Sequence, residues 1–166
     1  RLNGPDVLFD LKQLNAAPDE TRQQLVSQTL AWVGQTQYPP RRQATVNVLD
    51  AGQAATLNGC VLTFKADQLR VSRELAAVSE APVASDALWD GRFRVHGTHS
   101  SELTLSVLGE AGLAACDDWR ETGLPRASLL ASPAVWRESE LVAAPYAGFG
   151  AGWCVEIMNK PSFFRP

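Results

Sequence analysis

An α+β fold is expected from this sequence, with helices first and mainly antiparallel strands with short helices after them. Three observations predict it. Apolar residues recur at helical spacing as far as Leu49. The period changes to two after Gly52. An apolar fraction of 45% against 20% charged, over 166 residues, supplies a core for one ordinary domain or two small ones. The expected organisation is a small helical unit over residues 1–53 and a mixed α/β module over residues 54–166.

Taken in order, Asp6 to Leu14 reads as a short helix, with Val7, Leu8, Leu11 and Leu14 close to i, i+3, i+4, i+7 spacing. Pro18 opens a second helix, and Asp19 and Glu20 suit its positive N-terminal end. Leu25, Val26, Thr29, Leu30 and Val33 form its buried stripe, Trp32 borders that stripe, and Gly34 is the expected stop. Tyr38-Pro39-Pro40 follows. Pro40 opens a third helix through Leu49, and Gly52 ends it, giving a helical hairpin packed on the first helix. Cys60, Leu62 and Phe64, then Leu69, Val71 and Arg73, alternate around an Ala66-Asp67 turn and read as a β-hairpin. Residues 76–87 have no clear period and read as a linker. Phe93 and Val95 mark a third strand, and Leu103, Leu105 and Val107 a fourth. Glu110–Trp119 and Leu124–Trp136 read as helices, the latter interrupted at Pro133, with late strands at 141–144 and 153–157.

The chain begins with Arg1 rather than Met, so it reads as a piece of something longer. No run of about 18 apolar residues predicts a membrane span. The net charge is −3, unlike a dedicated nucleic-acid-binding domain, which is usually basic. The charges are unevenly spread. Residues 38–73 hold five basic residues and two acids, a net of +3, whereas residues 101–140 hold seven acids and three arginines, a net of −4. Cys60, Cys116 and Cys154 are odd in number and far apart, without a Cys-x-x-Cys, so buried free thiols in a reducing cytoplasm fit them best.

Few constellations carry chemistry. His96 and His99 flank Gly97 and precede two serines, which suits a solvated turn better than a metal site. The Gly148-Phe149-Gly150-Ala151-Gly152 run has a strand after it instead of a helix, so it reads as a hairpin connection and not a dinucleotide loop. Asp117 and Asp118 are adjacent and point apart on a helix, a poor geometry for paired acid–base work. Arginines are the candidates. Arg41 and Arg42 open a helix just after two prolines, where guanidinium groups and a helix N-terminus could meet phosphate. Lys65, Arg70 and Arg73 lie on the hairpin, and Arg92 and Arg94 share a strand face. Arg73-Glu74 and Asp90 with Arg92 read equally as local ion pairs.

An ordered series of motifs carries a resemblance. Tyr38-Pro39-Pro40-Arg41-Arg42, Thr56-Leu57-Asn58-Gly59-Cys60, Val71-Ser72-Arg73-Glu74, Trp89-Asp90-Gly91-Arg92-Phe93, Leu108-Gly109, Leu124-Pro125 and Leu141-Val142-Ala143-Ala144-Pro145 follow one another in this order. Over residues 6–164 this resembles the C-terminal region of bacterial tRNA(Ile)-lysidine synthases in their alphaproteobacterial form. The resemblance implies a parent ligase that uses ATP and magnesium to adenylate the wobble cytidine of tRNA(Ile) and then attach lysine. Its N-terminal ATP-pyrophosphatase domain carries a Ser-Gly-Gly-x-Asp-Ser phosphate loop. That loop is absent from this sequence, so no cofactor is expected here and the chain itself is expected to be inactive. What carries over is a noncatalytic, cytoplasmic role in holding tRNA(Ile), with the catalytic domain as the other partner.

A structural module that docks on a catalytic domain or forms a homodimer is the second expectation. Five tryptophans and a Phe163-Phe164 end expected to be exposed suit it. A self-sufficient small-molecule enzyme lacks a visible acid–base or nucleophile set.

Overall fold

A computed structural model describes residues 1–164 of the chain and divides it into two compact units. One comprises Arg1–Ala77 with the chain from Lys160 onward, and the other Val78–Asn159.

Five antiparallel strands build the first unit's sheet: β1 (Leu2–Asn3), β2 (Asp6–Asp10), β3 (Ala55–Leu57), β4 (Cys60–Lys65) and β5 (Gln68–Arg73), in the order β1-β2-β5-β4-β3. The expected hairpin is β4–β5, with Leu62 opposite Val71 and Cys60 opposite Arg73. The expected helix over Asp6–Leu14 is corrected. Its first five residues are β2, which sets Val7 against Val71 and Phe9 against Leu69. The pattern fits both a helix and a strand, and pairing with β5 decides in favour of the strand. Asp10 then caps α1 (Leu11–Ala16) by accepting from the Gln13 amide at 3.0 Å. The boundary expected between residues 53 and 54 therefore falls inside this unit, because one sheet joins β2 to the hairpin.

The long helix α2 (Asp19–Gly34) begins after Pro18 with Asp19 and Glu20 in its first turn. It packs on β4 and β5, and Val26, Leu30 and Val33 of the helix are buried, as are Leu62, Leu69 and Val71 of the two strands. The expected stop at Gly34 is corrected by one residue: Gln35 takes the left-handed cap at φ 50°, and its amide reaches the Ala31 carbonyl. Gly34 serves a different end. A Cβ there would lie 1.9 Å from the Asn58 carbonyl oxygen, so its absence lets the Asn58 turn touch the helix. Helix α3 (Arg42–Ala51) ends at Gly52 as expected, and Thr45 and Ser27 tie it to α2 through a 3.2 Å hydroxyl contact.

In the second unit, β6 (Val83–Ala84), β8 (Leu103–Val107), β9 (Pro133–Arg137) and β10 (Glu140–Ala143) form an antiparallel sheet in the order β10-β9-β8-β6. The strands β7 (Phe93–His96) and β11 (Cys154–Ile157) pair separately. Two corrections apply. The helix expected over Leu124–Trp136 is only α5 (Arg126–Leu130). Its continuation is β9, held by Leu105 opposite Val135, and Pro133 marks the change from helix to strand. The glycine-rich run is not a hairpin connection, since β10 and β11 lie in different sheets. The short helix α4 (Gly109–Ala114) occupies the first part of the helix expected over Glu110–Trp119. One apolar cluster contains Trp89, Phe93, Leu105 and Val135, and a second joins Leu108, Leu113 and Leu129.

Candidate nucleic-acid interface

The loop from α2 to α3 is built from short-range geometry. Gln35 reverses the chain, and the Thr36 hydroxyl donates to the Tyr38 carbonyl at 3.0 Å. The Asn58 side-chain amide donates to the Thr36 oxygen at 2.6 Å and lies 3.5 Å from the Tyr38 carbonyl. Asn58 itself takes φ 58°, a left-handed conformation that asparagine tolerates. Pro39 and Pro40 limit the backbone further. The loop is thus held from outside by a turn of the sheet.

This brace presents Tyr38, Arg41 and Arg42 to solvent. Tyr38 is 71% exposed. Arg41 occupies the N-cap of α3, and its guanidinium has no hydrogen-bond or ion-pair partner among the described residues. Arg42 stands in the first turn with its Nε donating to Gln23 at 2.7 Å. The first turn of α3 carries no acid, and no side chain caps it, so positive backbone potential and two guanidinium groups add together. Lys65, at the end of β4, is exposed and unpaired among the described residues.

Three other arginines proposed from the sequence are occupied by the fold. Arg73 is buried. Its Nη1 donates to the carbonyls of Gly34 at 2.8 Å and Gly59 at 3.1 Å, and its Nη2 to that of Ala77 at 2.9 Å. The planar fork of arginine suits this task of gathering carbonyls from three segments. Arg70 pairs with buried Asp6 at 2.6 Å and donates to Asn3 at 3.0 Å, binding β5 to the first two strands. Arg92 is 0% exposed, 4.5 Å above the Phe93 ring and 3.6 Å from the Asp90 carboxylate. A guanidinium without an exposed face has nothing to offer a phosphate. Arg94 is exposed, but it lies on β7 directly opposite Glu156.

Sequence reasoning named Tyr38 only as part of a motif and missed the bracing by Asn58. An aromatic residue just before Pro-Pro, in a loop followed by two arginines, was the available signal. Charge also divides more sharply by unit than the linear sequence showed. Residues 1–77 and 160–166 hold ten Lys and Arg against seven Asp and Glu, a net of +3. Residues 78–159 hold five against eleven, a net of −6. The second unit has a groove of about 470 Å³ over Trp136 and Val107, rimmed by Glu80, Glu102 and Glu138.

Other sequence candidates resolve as follows. His96 faces Glu156 at 2.9 Å, and His99 faces Ser85 at 3.0 Å, so the two histidines have separate partners. Among the described residues no three His, Cys, Asp or Glu side chains are grouped to hold a metal. Cys60 and Cys116 are buried, but Cys154 is exposed, which corrects the expectation of three buried thiols. The Phe163-Phe164 end is half-buried, with the Phe164 ring 5.8 Å from Trp32. That correction removes one apolar surface expected for docking.

No helix among the described residues is long and apolar enough to cross a membrane. No family model matches the chain, and no solved structure matches it. Over 99% of its length the chain is 41% identical to a tRNA(Ile)-lysidine synthase from Ruegeria pomeroyi (strain ATCC 700808 / DSM 15171 / DSS-3). It spans 40% of the length of that relative, so it is similar to a region of that enzyme.

Proposed function

We propose that this chain is the noncatalytic, C-terminal, tRNA-holding region of a cytoplasmic tRNA(Ile)-lysidine synthase, the enzyme that ligates lysine to the wobble cytidine using ATP. The observation that carries this reading is identity along nearly the whole chain with part of a protein of that name. The ATP and magnesium chemistry belongs to another region of the enzyme, and the partners here are tRNA(Ile) and the catalytic domain. The exposed Arg41, Arg42 and Lys65 supply phosphate contacts from a rigid frame. Structured RNA is recognised by shape and backbone, so a few placed cations suffice where a polycation would bind any RNA.

The test is tRNA binding measured across salt concentrations. Replacing both Arg41 and Arg42 with Ala should weaken binding and reduce the slope of log K against log salt by about 2. Unchanged affinity and slope would refute a tRNA-holding role for this loop.

A second reading, a module docking on a protein, is favoured by the acid-rimmed groove of the second unit. It repels RNA and suits a cationic protein segment. Binding of a separately produced catalytic domain, lost in a Glu102→Lys/Glu138→Lys variant and without tRNA affinity, would select it.

A further inference from the structure

We infer that Tyr38 is a stacking platform for one unpaired nucleobase of the bound RNA. This rests on the tRNA-holding reading and adds a base contact to its phosphate contacts. Among the described residues Tyr38 is by far the most exposed large apolar side chain; Leu75 and Leu88 follow at 37% and 38% against its 71%. Its exposure is not the result of a loose loop. The Tyr38 carbonyl is held by Thr36 and approached by Asn58, Asn58 is fastened to Thr36, and the next two residues are prolines. An apolar ring kept in water by a braced backbone is preorganised for a partner, because little conformational entropy remains to be lost on contact.

The surroundings specify the partner. Arg41 and Arg42 follow within four residues, exposed and without an acid in the first turn of α3. A protein segment would meet a ring beside two cations. A nucleotide offers what both groups take, an aromatic face for Tyr38 and an anionic phosphate for the guanidinium groups. A paired base has both faces covered within its helix, so the ligand is a nucleotide outside a duplex: a loop, bulge or single-stranded end. The five tryptophans do not duplicate this arrangement, since each is buried or half-buried.

The experiment compares Tyr38→Ala and Tyr38→Phe with Arg41→Ala/Arg42→Ala in the otherwise intact protein. The probes are a tRNA(Ile) transcript and a blunt RNA duplex of similar length. A second transcript series carries 2-aminopurine at unpaired positions. Tyr38→Ala should weaken transcript binding by about 5-fold or more, the lower end expected for loss of one base stack. It should leave duplex binding and the salt slope unchanged, and Tyr38→Phe should bind like the wild type. At one unpaired position, 2-aminopurine emission should fall on binding and recover in Tyr38→Ala. Equal affinity of Tyr38→Ala and the wild type, or a loss in Tyr38→Phe as large as in Tyr38→Ala, overturns the stacking role. If the arginine variant still loses affinity in that case, the tRNA-holding reading stands alone. If the wild type binds no transcript, both fail.

Discussion

Arg73 donates a hydrogen bond to the Gly34 carbonyl at 2.8 Å, joining the last strand of the first sheet to the last turn of α2. The same guanidinium reaches Gly59 and Ala77, so one side chain satisfies carbonyls from a helix end, a turn and a 3₁₀ segment. Arg73→Ala should lower the stability of the first unit by about 3 kcal/mol, since the buried Gly34 carbonyl and the part-buried carbonyls of Gly59 and Ala77 would lose their donor. Arg73→Lys should recover only part of it, because an ammonium lacks the planar fork. Urea midpoints of the two variants decide this, and midpoints equal to wild type would contradict it.

Gly34 is the other half of that junction. A methyl group at this position would sit 1.9 Å from the Asn58 oxygen, a backbone atom that cannot rotate away. Although alanine favours helix more than glycine does, Gly34→Ala should cost about 2 kcal/mol or more through overpacking. It should also loosen the Tyr38 loop, whose brace is Asn58. Hydrogen exchange at residues 35–38 would reveal the loosening; protection equal to wild type would show that the turn absorbs the methyl group.

Arg92 illustrates what the sequence could and could not disclose. Its presence in Trp89-Asp90-Gly91-Arg92-Phe93 was legible, as was an ion pair with Asp90, but its complete burial was not. Local pairing follows from adjacency in the chain, whereas burial depends on strands distant in sequence. The Arg92 carbonyl accepts from Met158 at the end of the β11–β7 ladder, and the neighbouring Phe93 enters the core. The hairpin β4–β5 and helices α2 and α3 were legible because their periods are local. β2 and β9 were misread as helix for the opposite reason: their apolar spacing is ambiguous, and only distant partners make them strands. The exposed arginines of the candidate site follow a proline pair, a local signal, but the brace on their loop comes from Asn58, twenty residues beyond Tyr38.

Burial of Arg92 has a measurable cost if its charge is removed from Asp90. Arg92→Ala should destabilise the second unit by about 3–5 kcal/mol, as expected when one partner of a buried pair is lost. Asp90→Asn/Arg92→Met should cost less than Arg92→Ala, since it removes both charges and keeps the apolar stem over Phe93. Tryptophan fluorescence from buried Trp89 can follow the transition, and equal losses in both variants would argue against a charge-pair origin.

The thiols should separate by reactivity. Cys154 is exposed, whereas Cys60 and Cys116 are buried. Burial, with the Asp117 carboxylate adding to it, pushes the Cys116 thiol above its ordinary pKa. Native protein should therefore give one fast equivalent with a thiol reagent, lost in Cys154→Ser, and two more only on unfolding. The raised pKa also has a stability consequence. Its contribution is fully present below the pKa of the unfolded thiol and is lost as pH rises through that of the folded thiol. Cys116→Ala should flatten the alkaline decline of the urea midpoint, and an identical decline in the variant would exclude Cys116 as a source.

The two ends of the charge distribution should behave differently towards RNA. Lys65, at the tip of a hairpin in the unit of net +3, is unpaired among the described residues, whereas Arg94 stands opposite Glu156 in the unit of net −6. A phosphate approaching Arg94 meets the field of the facing carboxylate and of the acids around it, and this opposes the attraction. Lys65→Ala should therefore reduce the salt slope of tRNA binding by about 1, the expectation for one lost phosphate contact. Arg94→Ala should leave the slope unchanged. A reduced slope for Arg94→Ala with none for Lys65→Ala would move the RNA-facing surface to the second unit, against its acidic excess.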